Sequence, residues 1–197
     1  MIMKKIFKMI STLMIGMIVM TSTLCGCTKE NHNVAVIKTN LGDMTLELYP
    51  KVAPKAVENF IKHANDKYYD GLIFHRVIKD FVIQGGDPTG TGMGGESIWG
   101  KGFGLEVSDE LTHNYGALAM AHSSLPDSNG SQFYIVANKN GTHELDGDYT
   151  VFGQLTEGFD VLDKIASQAT DENNKPLEDV VIKNIEINIS FSAKTEF

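Results

Sequence analysis

The sequence predicts one mostly β domain, in which a closed, mostly antiparallel sheet is capped by two α-helices. Three observations lead to this prediction. Short apolar runs recur along the chain, turn-forming residues separate them, and only two stretches have the periodicity of a helix. Many short strands with few helices are typical of a sheet that closes on itself. No internal repeat or second domain is visible in the sequence.

The first elements after the N-terminal region are a hairpin and a helix. Apolar and polar side chains alternate over residues 44–48, and the turn at residues 39–42 links them to the run 34–38. This pattern predicts a β-hairpin. A helix is predicted next, because Pro54 stands near its first turn and apolar residues follow at 57, 60, 61 and 64.

The rest of the chain is predicted to be strands, apart from a second helix over Phe159–Ala166. The last predicted strand lies within Val180–Ile189, where isoleucines at 185, 187 and 189 alternate with polar residues. Five further apolar runs are separated by Gly, Asn, Asp and Pro: Leu72–Ile78, Phe81–Ile83, Gly116–Ala121, Gln132–Ala137 and Tyr149–Gln154.

The N-terminal residues have the pattern of a secretory signal. Lys4, Lys5 and Lys8 form a positive start, and the stretch from Ile10 to Leu24 is mainly apolar. The alternative is a transmembrane helix or an uncleaved anchor. We favour the secretory signal, because polar residues interrupt the apolar stretch. The stretch is also shorter than the roughly 20 consecutive apolar residues that a membrane-spanning helix needs.

The segment Leu24-Cys25-Gly26-Cys27 resembles the lipobox of bacterial lipoproteins. The resemblance implies cleavage after Gly26 and a lipid on Cys27. We therefore expect a signal peptide over 1–26, a lipidated cysteine with a polar tether over 27–33, and a folded domain over 34–197. The expected location is extracytoplasmic, on the outer face of the cell membrane, or on the periplasmic side if an outer membrane exists.

Charge and cysteine content exclude several classes of function. The net charge is −8, and removal of residues 1–26 would take away three lysines and no acid, which makes it −11. Such an acidic chain is not expected to have a basic surface that binds nucleic acid. Because anionic lipid would repel it, only the attached lipid could hold it on an anionic membrane. After processing, Cys27 would be the only cysteine, so neither disulfide nor thiol chemistry is expected. We expect a monomer.

Motifs for common cofactors, metals and nucleophiles are missing. The sequence has no Gly-x-Ser-x-Gly, His-Glu-x-x-His, Cys-x-x-Cys or P-loop, and its six histidines do not pair at metal-ligand spacing. Residues 90–95 match Gly-x-Gly-x-x-Gly, but further glycines at 100, 102 and 104 exclude the helix that a dinucleotide site needs. We interpret this segment as a flexible glycine loop, and we expect no metal and no cofactor.

Arg76 is the only arginine, against sixteen lysines. A generic positive charge in this chain is therefore a lysine, which suggests that position 76 needs a planar donor with several N–H groups. Arg76 also lies inside an apolar run that otherwise predicts a buried strand. Considered alone, it could equally satisfy a structural carboxylate or carbonyl groups.

The segments around Arg76 resemble the cyclophilin family of peptidyl-prolyl cis-trans isomerases. The resemblance covers about residues 34 to 190, with the motifs in the order of the family: 74–87 (FHRVIKDFVIQGGD), 94–100 (GGESIWG), 116–121 (GALAMA), 129–135 (NGSQFYI), 145–147 (LDG) and 151–153 (VFG). It implies a closed eight-stranded antiparallel β-barrel with a helix at each end. It also implies rotation of Xaa–Pro bonds in unfolded or partly folded polypeptides, without a cofactor.

The resemblance also assigns site residues. Arg76 matches the catalytic arginine, and we add Phe81 and Gln132 to the catalytic set. Four positions carry a residue that is less usual in the family: His122, Tyr134, Glu144 and Tyr149. The candidate substrate-binding residues are His75, Val82, Gln84, Ala121, His122, Phe133, Tyr134, Leu145 and Tyr149. A guanidinium can donate to the lone pair that appears on the prolyl nitrogen when the amide is twisted, and this needs no nucleophile, base or metal.

Three functions remain to be compared. The first is an isomerase that speeds the folding of exported proteins, since uncatalysed proline isomerisation takes tens of seconds or longer. The second is a peptide-binding chaperone or scaffold of the same fold, in which Arg76 would not be needed. The third, a substrate-binding lipoprotein of a transporter, is disfavoured because the chain is short and rich in strands.

Overall fold

A computed structural model describes residues 29–125 and 127–193 of the chain. The fold is the compact unit Glu30–Ser192. The predicted signal peptide and Cys27 lie outside the described residues.

The described residues form eight β-strands, two α-helices and one short 3₁₀ helix. The helices are α1 (Pro54–Asn65) and α2 (Phe159–Ala166), and the 3₁₀ helix is His143–Leu145. The strands are β1 (Lys29–Thr39), β2 (Gly42–Leu48), β3 (Arg76–Ile78), β4 (Val82–Gly85), β5 (Ala117–Met120), β6 (Phe133–Val136), β7 (Val151–Glu157) and β8 (Ile182–Ala193). Both predicted helices and the predicted hairpin are confirmed.

All eight strands belong to one sheet, in the order β3-β4-β6-β5-β7-β2-β1-β8. β1 and β2 are antiparallel, with Thr39 opposite Gly42 at the turn. β3, β4, β6 and β5 also pair in antiparallel register, and β7 continues the sheet between β5 and β2. The short strands β3 to β6 are therefore neighbours, and they carry most of the predicted site.

The sheet is a curled, open half-barrel, so the prediction of a closed barrel is wrong. β3 and β8 form the two edges and do not pair as strands. The physical reason lies in β3, which has only three residues and whose Val77 N–H donates to the Asn174 carbonyl of a loop, at 2.8 Å. The two edges meet only before β3, where Ile73 and Val181 form an isolated bridge.

The two faces of the sheet bury different sets of side chains, because successive residues of a strand point to opposite faces. Along β6, Phe133 and Ile135 belong to the main core, whereas Tyr134 and Val136 belong to a second, smaller apolar cluster. The main core also contains Phe60 of α1 and Leu162 of α2. The candidate site is built on the smaller cluster.

No helix within residues 29–193, Pro126 aside, is long and apolar enough to cross a bilayer.

Candidate active site

A pocket of about 270 Å³ opens on the smaller apolar cluster. Strands β3, β4 and β6 supply its base, and the segment around the 3₁₀ helix supplies a wall. The lining residues are Arg76, Phe81, Val82, Gln84, Ala121, His122, Tyr134, Leu145 and Tyr149. The pocket thus places one cation beside a group of apolar and aromatic side chains.

The guanidinium of Arg76 is held at the edge of this pocket by two neighbours. Arg76 and Gln84 are opposite each other in the β3–β4 pair, and Arg76 Nη1 donates to Gln84 Oε1 at 3.2 Å. The guanidinium carbon also lies 6.0 Å from the centre of the Phe81 ring, within the range of a cation–π contact. Both contacts leave further N–H donors of Arg76 for a bound molecule.

Gln84 is held in turn by Gln132. The side-chain amide of Gln84 donates to Gln132 Oε1 at 2.9 Å. Gln132 Nε2 donates to two loop carbonyls, that of Gly92 at 3.0 Å and that of Gly94 at 2.8 Å. Gln132 also lines a neighbouring cavity of about 290 Å³, which shares Gln84, Ala121 and His122 with the first pocket.

The loop that supplies these two carbonyls is organised by Asp87, which is 1% exposed. One of its carboxylate oxygens accepts from the backbone N–H groups of Thr91 (3.1 Å), Gly92 (2.6 Å) and Gly94 (3.2 Å). The other accepts from the backbone N–H of Thr89 at 2.8 Å. Burial opposes ionisation, but these hydrogen bonds lower the pKa of Asp87 to about 2. The carboxylate is therefore charged at neutral pH.

Three rings form the aromatic wall of the pocket. The Tyr149 ring lies 5.8 Å from that of Tyr134, at 81°, and 4.4 Å from that of His122, at 34°. His122 Nε2 lies 2.7 Å from the Asp148 carbonyl oxygen, so its side chain connects the loop after β5 to the wall. Flat, rigid rings in mutual contact form a surface that suits a compact apolar ring.

Behind Tyr134 lies a buried polar network. The Asp146 carboxylate accepts from the backbone N–H and from Nδ1 of His113, both at 2.7 Å, and His113 Nε2 lies 2.8 Å from the Tyr134 hydroxyl. Because Nδ1 donates to Asp146, Nε2 of the neutral ring accepts, and the Tyr134 hydroxyl donates. Burial lowers the pKa of His113 against the opposing effect of Asp146, and burial raises the pKa of Tyr134.

Most of the residues predicted from the sequence meet at the two cavities, and two do not. Phe133 is fully buried in the main core, where its ring packs edge-on against Phe60 and Tyr69. His75 is 6% exposed and lies beside Gly92, beneath the glycine loop. Both neighbour pocket residues in sequence, and in β6 the alternation of side chains turns Phe133 to the face opposite Tyr134. Neither of them is among the residues that line the two cavities, and their assignment to substrate binding stays a prediction.

Three residues around the site were missed by sequence analysis: Asp87, His113 and Asp146. A signal existed for Asp87, because an aspartate followed by Pro-Thr-Gly is typical of a turn in which the carboxylate accepts from the backbone. His113 and Asp146 are 33 residues apart and come together only in the folded chain. The glycine loop, which the sequence predicts to be flexible, is tied down through Asp87.

Within the part of the chain that the structure describes, no group of three or more His, Cys, Asp or Glu side chains is arranged to hold a metal ion. The polar groups that line the two cavities include the Arg76 guanidinium, the amides of Gln84 and Gln132 and the His122 imidazole. Such a set can hold a peptide through hydrogen bonds and can stabilise a developing lone pair.

Comparisons with known proteins identify a family for this chain. The sequence profile of the cyclophilin type peptidyl-prolyl cis-trans isomerase/CLD family matches residues 34–187. A relative in Staphylococcus epidermidis, named for peptidyl-prolyl cis-trans isomerase activity, is 46% identical over 185 residues, which are 81% of this chain and 93% of the relative. A similarly named Staphylococcus aureus protein is 48% identical over 178 residues, 77% of this chain and 90% of the relative.

Solved structures give the same result. The crystal structure of a Cryptosporidium parvum cyclophilin type peptidyl-prolyl cis-trans isomerase superposes with a TM-score of 0.76 at 42% identity, covering 80% of this chain and 98% of that one. A second structure, determined in the presence of the dipeptide Ala-Pro, has a TM-score of 0.75 at 43% identity and covers 79% of this chain and 98% of that one. The fold, the pocket and these relatives lead to one conclusion: the chain belongs to the cyclophilin-type peptidyl-prolyl cis-trans isomerases.

Proposed function

We propose that this chain rotates Xaa–Pro bonds of exported polypeptides and that Arg76 stabilises the twisted amide. The peptide bond resists rotation by about 18–20 kcal/mol because its C–N bond has partial double-bond character. Twisting removes the conjugation and leaves a lone pair on the prolyl nitrogen. An N–H group of Arg76 then donates to that lone pair, an interaction that is stronger in the twisted state than in either planar state.

The other pocket residues hold the substrate while the bond rotates. The proline ring lies against Phe81, Leu145 and Tyr134, which form the apolar part of the pocket. The polar side of the site, with Gln84 and Gln132, binds the flanking peptide groups. When the peptide is bound on both sides of the Xaa–Pro bond, that bond can rotate while the peptide stays in the site.

One observation carries this proposal. The only arginine of the chain lies at the edge of the apolar pocket, between Gln84 and the Phe81 ring. Binding of an apolar ring alone would not need a charged group at this edge of the pocket.

The experiment compares the wild-type chain with Arg76→Ala and Arg76→Lys in an Xaa–Pro peptide isomerisation assay, with peptide binding measured separately. We expect Arg76→Ala to lower kcat/KM by about 100-fold or more, as the loss of a transition-state donor does in other enzymes, and to retain peptide binding. Arg76→Lys is expected to recover little, because an ammonium group lacks the planar fork of donors.

Lys79→Ala is the matched control, because it removes an exposed positive charge close to Arg76 in sequence. It is expected to keep the wild-type rate. Equal activity of wild type and Arg76→Ala would refute the role of Arg76. Absence of any acceleration by a folded wild-type chain that still binds peptide would favour the peptide-binding module instead.

We further propose that the chain acts outside the cytoplasm, anchored by lipid on Cys27. The lipobox-like segment 24–27 after a positive and apolar start supports this. Expressed in a bacterium, the wild-type chain is expected in the membrane fraction with a lipid mass on the N-terminal peptide. Cys27→Ser should abolish the membrane association and the lipid mass. Cys25→Ser should leave both of these unchanged. Equal membrane association of the Cys27→Ser variant would contradict lipid anchoring.

A further inference from the structure

Asp87 is a buried charged group that the proposed reaction does not use directly. It lies outside both cavities, yet it accepts hydrogen bonds from four backbone N–H groups of residues 89–94. Gly92 has a φ of 83°, a left-handed conformation that glycine adopts without strain, and it allows the chain to turn back at this point of the loop. The loop is thus wrapped around one side chain.

The same loop begins a directed chain of hydrogen bonds that ends at Arg76. The carbonyls of Gly92 and Gly94 accept from the Gln132 amide nitrogen, which fixes that amide with its oxygen toward Gln84. Gln84 donates to that oxygen and therefore turns its own oxygen toward Arg76. If either amide were reversed, NH₂ would face another donor. The positions of the two carbonyls thus determine which atom meets the guanidinium.

We propose that Asp87 is a positioning residue for isomerisation, acting through the loop 89–94 and the two glutamines to orient the Arg76 guanidinium. This inference rests on the proposed role of Arg76. A positioning residue differs from one that only stabilises the fold. If Asp87 acts by positioning Arg76, it affects the reaction only while the hydrogen bonds through Gln132 are intact.

The kinetic test measures kcat and KM for Asp87→Asn in the full chain, alone and combined with Gln132→Ala. Asparagine has nearly the same shape but presents one acceptor oxygen instead of two. We expect kcat to fall about tenfold with little change in KM, because small displacements of a catalytic group are costly. In the Gln132→Ala background, Asp87→Asn should cause no further loss of kcat.

A spectroscopic readout separates this inference from the proposed function. Because Arg76 is the only arginine, ¹⁵N-labelled arginine gives one set of guanidinium NMR signals. In wild type we expect separate, slowly exchanging Nη signals, because Nη1 is bound to Gln84. In Asp87→Asn and in Gln132→Ala they should merge through faster rotation. This result is independent of whether Arg76→Ala affects the reaction rate.

The matched control is Asp163→Asn, which removes a carboxylate that binds Tyr115 and Lys139 away from the pocket. It should change neither kcat nor the Arg76 signals. Should Asp87→Asn fail to fold, Thr89→Val provides a milder change, because it removes only a hydroxyl that donates to Asp87 at 2.8 Å. The proposal is overturned by unchanged Arg76 signals in a folded Asp87→Asn chain, or by an equal loss of kcat in both backgrounds.

Discussion

Tyr134 shows how a single hydroxyl can support a pocket that it does not enter. The ring lines the pocket, while the hydroxyl donates backwards to His113, which Asp146 orients. The two rings are nearly parallel, at 15°, with centres 5.9 Å apart. Since the hydroxyl is already used, the pocket presents an apolar ring rather than a polar group to the substrate.

We expect Tyr134→Phe to destabilise the fold by about 1–3 kcal/mol and to retain most of the isomerase activity. The change leaves His113 Nε2 buried without a donor, which is the source of this cost. The apolar ring of the pocket remains in place. Urea unfolding and the peptide assay measure the two effects. An unchanged free energy of unfolding would show that the His113–Tyr134 hydrogen bond contributes nothing.

At the level of residues, chemistry was easier to predict than orientation. Arg76 stands out in the sequence because it is unique in the chain and lies in a long motif, and the structure places it at the pocket. A motif groups Phe133 with Tyr134, whereas the strand turns them to opposite faces, and this the motif does not report. Asp87 and His113 were missed because their importance comes from contacts that depend on the folded loop and on distant segments.

Helix α1 illustrates a dependence between elements. Its N-cap residue, Ala53, has no side chain that can accept from the first turn. Glu106, from the long segment before β5, accepts instead from the backbone N–H groups of Lys55 (3.1 Å) and Ala56 (2.9 Å). A negative charge at the positive end of a helix is favourable. The segment around Glu106 is thereby attached to the helix.

We expect Glu106→Ala to lower the free energy of unfolding by about 0.5–2 kcal/mol, the usual cost of losing an N-terminal helix cap. Chemical denaturation provides the measurement. Glu172→Ala is the control, because Glu172 is exposed and lies far along the chain from α1. An equal effect of the two substitutions would indicate that Glu106 acts through general charge rather than as a cap.

Elements with strong local signals were predictable, and those set by distant partners were not. The hairpin and both helices follow from alternation, periodicity and Pro54. The predicted strand Leu72–Ile78 shrinks to β3 and one isolated bridge, because its partner there is a segment more than 100 residues away. The approach of the two sheet edges depends on these pairings between distant segments, and no local pattern reports them.

For the whole molecule, three buried histidines should make stability depend on pH. Burial is the main cause that lowers the pKa values of His63, His75 and His113 below the ordinary value. The unfolded chain therefore binds more protons than the folded chain once the pH falls below about 6.5, and stability decreases with acidification. The low pKa of Asp87 adds a further loss only below about pH 4.

We therefore expect the free energy of unfolding to be lower at pH 5.5 than at pH 7.5. Urea titrations across this range measure it, and His75→Phe, which cannot bind a proton, should show a shallower decrease than wild type. Constant stability, or a rise toward pH 5.5, would contradict the expected effect of burial on these histidines.

The alternation of side chains along β6 has a consequence for how the protein loses activity on heating. Phe133 holds the interior and Tyr134 holds the pocket, and one peptide unit joins them. The pocket is therefore expected to be lost at the same temperature at which the core unfolds. Turnover should report the fraction of folded molecules at each temperature, whereas damage confined to the loop at Asp87 would slow turnover in a chain that is still folded.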